Sequence, residues 1–135
     1  MAVDDRNCRP AFLVRVLEGM GWSAQSERGY GGLCLVDASD RLRVRVSWSG
    51  AWIRVEMGPW KSRFRSRWIR RALVVNRDAV GARFGATKEG EISLSAHVPV
   101  GYTDRDVAEL IERMARYVRH YDEYLGLLDA SDARG

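Results

Sequence analysis

The segment from Arg41 to Met57 constrains the fold of this chain more than any other stretch. Apolar and polar residues alternate on both sides of a Ser49-Gly50 pair, and a period of two is typical of antiparallel strands buried on one face. The segment therefore predicts a β-hairpin whose inner face consists of Leu42, Val44, Val46, Trp48, Ile53, Val55 and Met57.

The other face of this hairpin is basic. If Ser49-Gly50 closes the turn, Val46 lies opposite Ile53 and Arg45 lies opposite Arg54. Two like charges directly across a strand pair are unfavourable unless water or an acidic partner screens them. This register therefore favours a surface that attracts carboxylates.

Composition indicates one domain. The 135 residues are 46% hydrophobic and 30% charged, enough to build a single core. Cys8 and Cys34 are isolated from each other and from any histidine cluster, which argues against a disulfide framework or a zinc site. The start of the chain is acidic and no apolar run is long enough to span a membrane, so we expect a cytoplasmic protein. We place the domain at residues 1–129 and a frayed tail at 130–135.

Periodicity along the rest of the chain predicts an α+β fold. Around the first hairpin we expect a helix at 9–20 capped by Asn7, a short strand at 33–36, and a helix at 60–76 that follows a strand ended by Pro59. A second hairpin at 82–100 and a long helix capped by Thr103 follow. The order is helix, three strands, helix, two strands, helix, in a single domain. We expect a twisted antiparallel sheet of about five strands with the helices mainly on one face.

Basic residues are concentrated in one part of the chain. The net charge is +4, yet residues 41–71 carry ten basic residues and one acid, whereas residues 104–135 carry eight acids and five arginines. Four tryptophans lie within the basic stretch, of which Trp48 and Trp68 fit a core and Trp52 and Trp60 fit a surface. The candidate partner-binding residues are Arg41, Arg43, Arg45, Trp52, Arg54, Trp60, Arg63, Arg65, Arg67, Arg70 and Arg71.

Two binding functions fit this arrangement. Arginines can capture an acidic segment of a protein partner through charge-assisted hydrogen bonds. Arginines interleaved with aromatic residues can also bind single-stranded nucleic acid. We favour the protein partner, for which the acidic tails of DNA-maintenance proteins such as single-strand DNA-binding proteins are an example, and keep direct nucleic-acid binding as the alternative.

No arrangement of residues predicts catalysis. His97 and His120 have no acid and nucleophile at a recognisable spacing, and the carboxylate pairs Asp37/Asp40 and Asp104/Asp106 are explained by turn and cap geometry. Phosphate-binding loops and nucleophile elbows are absent from the sequence. We therefore expect a protein without enzyme activity, metal or cofactor.

The middle helix has a wider apolar stripe than one face of a small sheet needs. Its aromatic and aliphatic residues Phe64, Ile69 and Leu73 extend the stripe beyond the part that fits a core. We expect these three residues to lie in the interface of a homodimer.

The element order and several short segments resemble a known group of proteins. Those segments are Gly21-Trp22 after the first helix, the runs at 81–85 and 88–92, and Tyr102-Thr103-Asp104. Together they resemble the YbjN-like domains and the type III secretion chaperone-like fold that these domains share. The resemblance implies an α+β domain without enzyme activity, frequent homodimers, and binding of protein partners or their extended segments.

Overall fold

The structure, a computed structural model, describes residues 8–27, 29–39 and 41–127, and of Ser66 only the backbone. Helix α1 is followed by four strands, then by a short 3-10 turn and helix α2, two further strands and the long helix α3. The elements are α1 Pro10–Gly19, β1 Ser23–Gln25, β2 Leu33–Val36, β3 Arg43–Ser49, β4 Trp52–Trp60, the 3-10 turn Arg65–Arg67, α2 Trp68–Asn76, β5 Arg83–Ala86, β6 Ile92–Pro99 and α3 Asp104–Leu125.

All six strands form one antiparallel sheet in the order β1-β2-β3-β4-β6-β5. The first four strands pair in chain order, and the chain then passes through α2 to reach the far edge at β5 before β6 returns beside β4. The predicted α+β class with an antiparallel sheet is confirmed. The additional strand is β1, a polar edge strand of three exposed residues that has no hydrophobic alternation by which the sequence could reveal it.

One core joins the sheet to the helices. Residues that alternate along the strands, such as Val44, Val46, Ile53 and Val55, are fully buried and belong to one cluster with the buried residues of all three helices. The predicted division of the first hairpin into an apolar and a polar face is therefore confirmed. The helix residues of this cluster are Leu13, Leu17, Trp68, Ala72, Val75, Val107, Ala108, Leu110, Ile111, Met114, Ala115, Val118 and Leu125.

The register of the first hairpin differs from the prediction by two residues. The turn consists of Gly50 and Ala51, so Trp48 pairs with Ile53 instead of Ala51, and Val46 with Val55 instead of Ile53. Because side chains alternate with a period of two, this shift leaves every residue on its predicted face.

The predicted partners across the hairpin change with the register. Arg45 lies opposite Glu56, and Arg54 lies opposite Ser47. The expected like-charge pair of Arg45 and Arg54 is therefore wrong.

Strand β4 continues through the point where the sequence predicted its end. The register shifts between Met57 and Trp60, where Gly58 has a positive φ of 109° and precedes a cis proline, Pro59. This irregularity admits a proline without a ladder hydrogen bond, and Trp60 then pairs with Ile92. As a result the helix predicted at 60–76 begins at Trp68.

Asn76 attaches the end of α2 to the edge strand β5. Its side-chain amide donates to the carbonyl of Phe84 and its carbonyl accepts from the amide of Phe84, both at 2.9 Å. The Asn76 side chain thus hydrogen-bonds the outward-facing backbone N–H and C=O of Phe84, as a further strand would. These backbone groups are then not available for pairing with another chain.

The beginning of α3 agrees with the prediction, and α1, whose N-cap residue is Arg9, begins and ends within one residue of its predicted bounds. Thr103 caps α3 in a capping box with Asp106, as the sequence indicates. Helix α1 begins at Pro10 in its first turn, whereas its predicted cap Asn7, the turn residue Asp40 and the tail 130–135 lie outside the described residues.

Asp37 organises the connection between β2 and β3. One carboxylate oxygen accepts from the backbone amides of Arg41 and Leu42 at 3.1 Å each, and the carboxylate also binds the Ser39 hydroxyl and Arg119. Burial acts to raise the pKa of Asp37, but the hydrogen bonds from Leu42, Ser39 and Arg41 and the charge of Arg119 outweigh it and lower that pKa.

Asp37→Asn should change the acid stability of the protein. Because the folded pKa lies below that of the unfolded chain, about 3.9, the carboxylate contributes stability above that pH, and the contribution is lost as pH falls through the folded pKa. We expect the variant to lose about 1–2 kcal/mol of unfolding free energy at pH 7 and to depend less on pH below 4. Urea denaturation between pH 2 and 7 measures both. Asp78→Asn, at an exposed position, is the control, and identical acid profiles for Asp37→Asn and the wild type would contradict the assignment.

Candidate functional site

The face of the sheet opposite the core carries the charged side chains of β3 and β4. Across the strands, Cys34, Arg45, Glu56 and Ser95 lie in one row. In the next row toward the hairpin turn, Arg54 lies between Ser47 and His97. The strands thus place guanidinium, carboxylate and hydroxyl groups on the face that the helices leave uncovered.

A groove of about 320 Å³ lies at one end of this face. Three arginines of the strand β3 region line it together with the irregular end of β4, because alternation brings every second residue to the same side. Its apolar surface comes from Val36, Pro59 and the half-buried indole of Trp60. The complete lining is Val36, Arg41, Arg43, Arg45, Gly58, Pro59 and Trp60.

Glu27, from the loop between β1 and β2, is bound to the arginines of this groove. The Nε of Arg45 donates to Oε2 of Glu27 at 2.7 Å and its Nη2 donates to Oε1, which is the two-point geometry that guanidinium favours for carboxylates. Nη1 of Arg43 lies 3.5 Å from Oε1 of Glu27. The hydrogen bonds from Arg45, aided by both arginine charges, outweigh desolvation and lower the pKa of Glu27.

Trp52 and Trp60, predicted to share one surface, lie at opposite ends of β4. Eight residues of extended chain separate them by roughly 26 Å. Trp52 is 52% exposed and pairs with Pro99 beside the turn, whereas Trp60 packs partly against the core. The two indoles therefore lie far apart, and of the two only Trp60 borders the arginine groove.

Arg63 and Arg71, two of the predicted binding residues, hold the carboxyl end of α3. Nη2 of Arg63 donates to the carbonyl of Glu123 at 3.1 Å and Nη1 of Arg71 to that of Tyr124 at 2.9 Å. Both guanidinium groups also stack on Phe64. Cations are favourable at the negative end of a helix dipole, so these arginines have a structural role.

The remaining predicted arginines lie elsewhere. Arg65 lines a second cleft of about 400 Å³, between the start of α2 and the turn at Glu89-Gly90. Arg67 and Arg70 are exposed at the beginning of α2. The long basic stretch of the sequence is therefore divided among several surfaces.

The predicted dimer residues lie at or near the surface of α2. Leu73 is 66% exposed and Ile69 is exposed beside it, while Phe64 is half-buried under the two stacked guanidinium groups. Val74 is exposed on the same helix. The helix thus presents an apolar outer stripe in addition to the one it buries.

The nucleophilic and titratable groups outside the groove are buried or scattered. Burial raises the pKa of Cys8 to about 12, with a contribution from Asp104, and burial followed by the charge of Glu27 raises that of Cys34. His120 stacks edge-on against Tyr121. In the part of the chain that the structure describes, no three His, Cys, Asp or Glu side chains are grouped as metal ligands. No helix there combines the length and apolarity needed to cross a membrane.

Sequence reasoning missed Glu27, which lies in a stretch read only as a polar loop. The available signal was weak: Glu27 is the one acid between Glu18 and Asp37, in a loop that ends in two glycines. The contact joins residues 18 positions apart across strand β2, and only the sheet order brings them together.

Solved structures share this fold. YbjN from E. coli aligns with a TM-score of 0.61 at 12% identity, covering 88% of this chain and 95% of that chain. The ExsC-ExsE complex aligns with a TM-score of 0.56 at 16% identity, covering 90% of this chain and 93% of that chain. No protein-family model matches the sequence, and no curated protein matches it significantly. The structure therefore has the YbjN-like, type III secretion chaperone-like fold that the sequence resemblance implied.

Arg71 and its neighbour Arg70 on α2 allow a test of the structural role, because Arg71 contacts the end of α3 and Arg70 is exposed. Arg71→Gln should lower the free energy of unfolding by about 0.5–1.5 kcal/mol, because it removes the bond to Tyr124 and the charge at the end of α3. Arg70→Gln removes the same charge from an exposed site and should change stability by less than about 0.5 kcal/mol. Urea denaturation of both variants measures the difference, and equal losses would show that Arg71 does not anchor α3.

Proposed function

We propose that this chain is a non-enzymatic, chaperone-like adaptor that captures an acidic segment of a protein partner in the arginine groove. The observation that carries the proposal is the two-point binding of Glu27 by Arg45 with Arg43 at its side. These side chains are already oriented to hold a carboxylate on the outer face of the sheet.

The chemistry of the groove supports a peptide ligand. Arg41, just before β3, lines the groove with Arg43 and Arg45, and Pro59 and Trp60 add an apolar wall. Such a site suits an extended segment in which acidic residues accompany an apolar one, because guanidinium pairs with carboxylates in a fork and the indole supplies contact area. A solved structure with the same fold is a complex of one protein with another, ExsC with ExsE, which also supports a protein partner.

The acidic tails of DNA-maintenance proteins, such as single-strand DNA-binding proteins, are one class of segment with this chemistry. The sequence suggested that the like-charge pair of Arg45 and Arg54 attracts an acidic partner. In this proposal the arginine groove attracts it instead. Arg43 and Arg45 already have a carboxylate neighbour in Glu27, so the ligand must offer more than one negative charge to compete.

Direct binding of single-stranded nucleic acid is the second candidate. The exposed indole of Trp52 beside Arg54 favours it, since bases stack on exposed aromatic rings next to cations. The distance between Trp52 and the groove separates the two candidates, because nucleic acid would use Trp52 and the peptide would use Arg43 and Arg45.

The two candidates can be tested with one set of variants. A fluorescein-labelled octapeptide of alternating Glu and Ser should bind the wild type in an anisotropy titration, weaken with added salt, and bind at least about tenfold more weakly to Arg43→Gln/Arg45→Gln. Arg105→Gln/Arg116→Gln, with the same change in charge at exposed positions of α3, is the control.

Three results decide the matter. A peptide with Gln in place of Glu should not bind. Failure of the acidic peptide to bind the wild type at low salt would refute the proposal. Binding of oligothymidylate that is lost in Trp52→Ala and retained in the groove variant would establish the second candidate instead.

We further propose that two copies associate through the outer stripe of α2. Leu73→Glu places a charge in the middle of that stripe and should yield a species of 15.3 kDa by light scattering at micromolar concentration, where we expect the wild type at twice that mass. Val80→Glu, an equally exposed position beyond the helix, should leave the dimer intact. A wild type that already has the monomer mass would refute the proposal.

A further inference from the structure

Two arginines that line the groove, Arg43 and Arg45, already hold a carboxylate of this chain, that of Glu27. We propose that Glu27 occupies the carboxylate position of the groove, and that an acidic peptide binds by displacing it from Arg45. The inference rests on the proposed function, since it concerns how the same groove takes its ligand.

Glu27 makes the contacts expected of a bound peptide carboxylate. Both of its oxygens accept hydrogen bonds from Arg45, and Arg43 approaches Oε1 from the neighbouring position on the strand. Its side chain is 20% exposed, so the pair lies at the surface, within reach of a competing carboxylate. Glu27 fills the Nε–Nη2 edge of Arg45, so a second carboxylate can take this edge only after Glu27 has left.

Two described residues of the loop that carries Glu27 contact Arg45. The amide of Tyr30 donates to the carbonyl of Glu27 at 3.1 Å, and the guanidinium of Arg45 lies 5.6 Å from the centre of the Tyr30 ring. The carboxylate of Glu27 and the ring of Tyr30 therefore contact the same guanidinium group, as an acidic and an aromatic residue of a bound peptide would.

Glycines occupy two positions of this loop that side chains would strain. A side chain at Gly32 would come within 2.3 Å of the carbonyl of Val46, so only glycine permits the close approach at the loop's end. Gly29 has a positive φ of 82°, a conformation that glycine adopts without strain. Strand β2 pairs with β3 from Leu33 onward, so Glu27 can leave Arg45 without any loss of β2 pairing.

Displacement has a measurable consequence. If the groove is competent only when Glu27 has left Arg45, the observed dissociation constant is the intrinsic one divided by the fraction of open molecules. Removing the charge of Glu27 raises that fraction. For a partly exposed ion pair we expect the acidic peptide to bind about threefold to tenfold more tightly.

Glu27→Gln and Glu56→Gln form a matched pair for the test. Both remove one carboxylate from the same face, and the side chain of Glu56 is 22% exposed and bound to Arg54 at 3.1 Å. The general electrostatic gain for an acidic ligand is common to both variants, whereas displacement from Arg45 concerns Glu27 alone. The alternating Glu-Ser octapeptide is titrated against each variant by anisotropy, after thermal unfolding has shown that each is folded.

We expect Glu27→Gln to bind the peptide more tightly than both the wild type and Glu56→Gln. This gain should be lost in Glu27→Gln/Arg45→Gln. Equal affinities for Glu27→Gln and Glu56→Gln would overturn the displacement while leaving the proposed function in place. Absence of peptide binding to every variant overturns both. A gain confined to oligothymidylate would also overturn the inference. If Glu27→Gln does not fold, Glu27→Asp, whose shorter side chain cannot keep the two-point contact, should show the same gain.

Discussion

The strict alternation of apolar and polar residues along β3 and β4 is the constraint on which the rest of the structure depends. It gives the sheet one face that must be buried, and residues from all three helices complete that core. The same alternation forces Arg43 and Arg45 to the opposite side, because successive side chains of a strand point to opposite faces. The core and the candidate groove are thus two results of one sequence pattern.

This dependence explains how much the sequence could predict. The face of each residue follows from a period of two, and a register error of two residues preserves it. The register itself depends on which residues form the turn, and both Ser49-Gly50 and Gly50-Ala51 keep Val44 and Val46 inside. The apolar face was therefore predictable, whereas the partner of Arg45 was not.

The arginines show the limit of reasoning from local charge. Residues 41–71 form one basic stretch in the sequence, but their roles are fixed by contacts that local patterns do not contain. Arg71 meets the end of α3, 53 residues away, and Arg45 meets Glu27 across another strand. A guanidinium group near a helix end or a buried carboxylate is held by it, so a charge count overstates the surface that is open to a partner.

The net positive charge of the chain suggests that the polar face attracts any anion, but the carboxylates on this face oppose that attraction. Glu27 and Glu56 weaken the long-range attraction of the face for any single anion, since each lies against an arginine. A ligand gains most where it replaces these contacts with several of its own, because the sheet already holds the arginines in position and less ordering is left for binding. Such a surface discriminates by the number and spacing of negative charges rather than by charge alone. An extended acidic segment, whose alternate side chains match the spacing of Arg43 and Arg45 along β3, meets that requirement better than an isolated carboxylate.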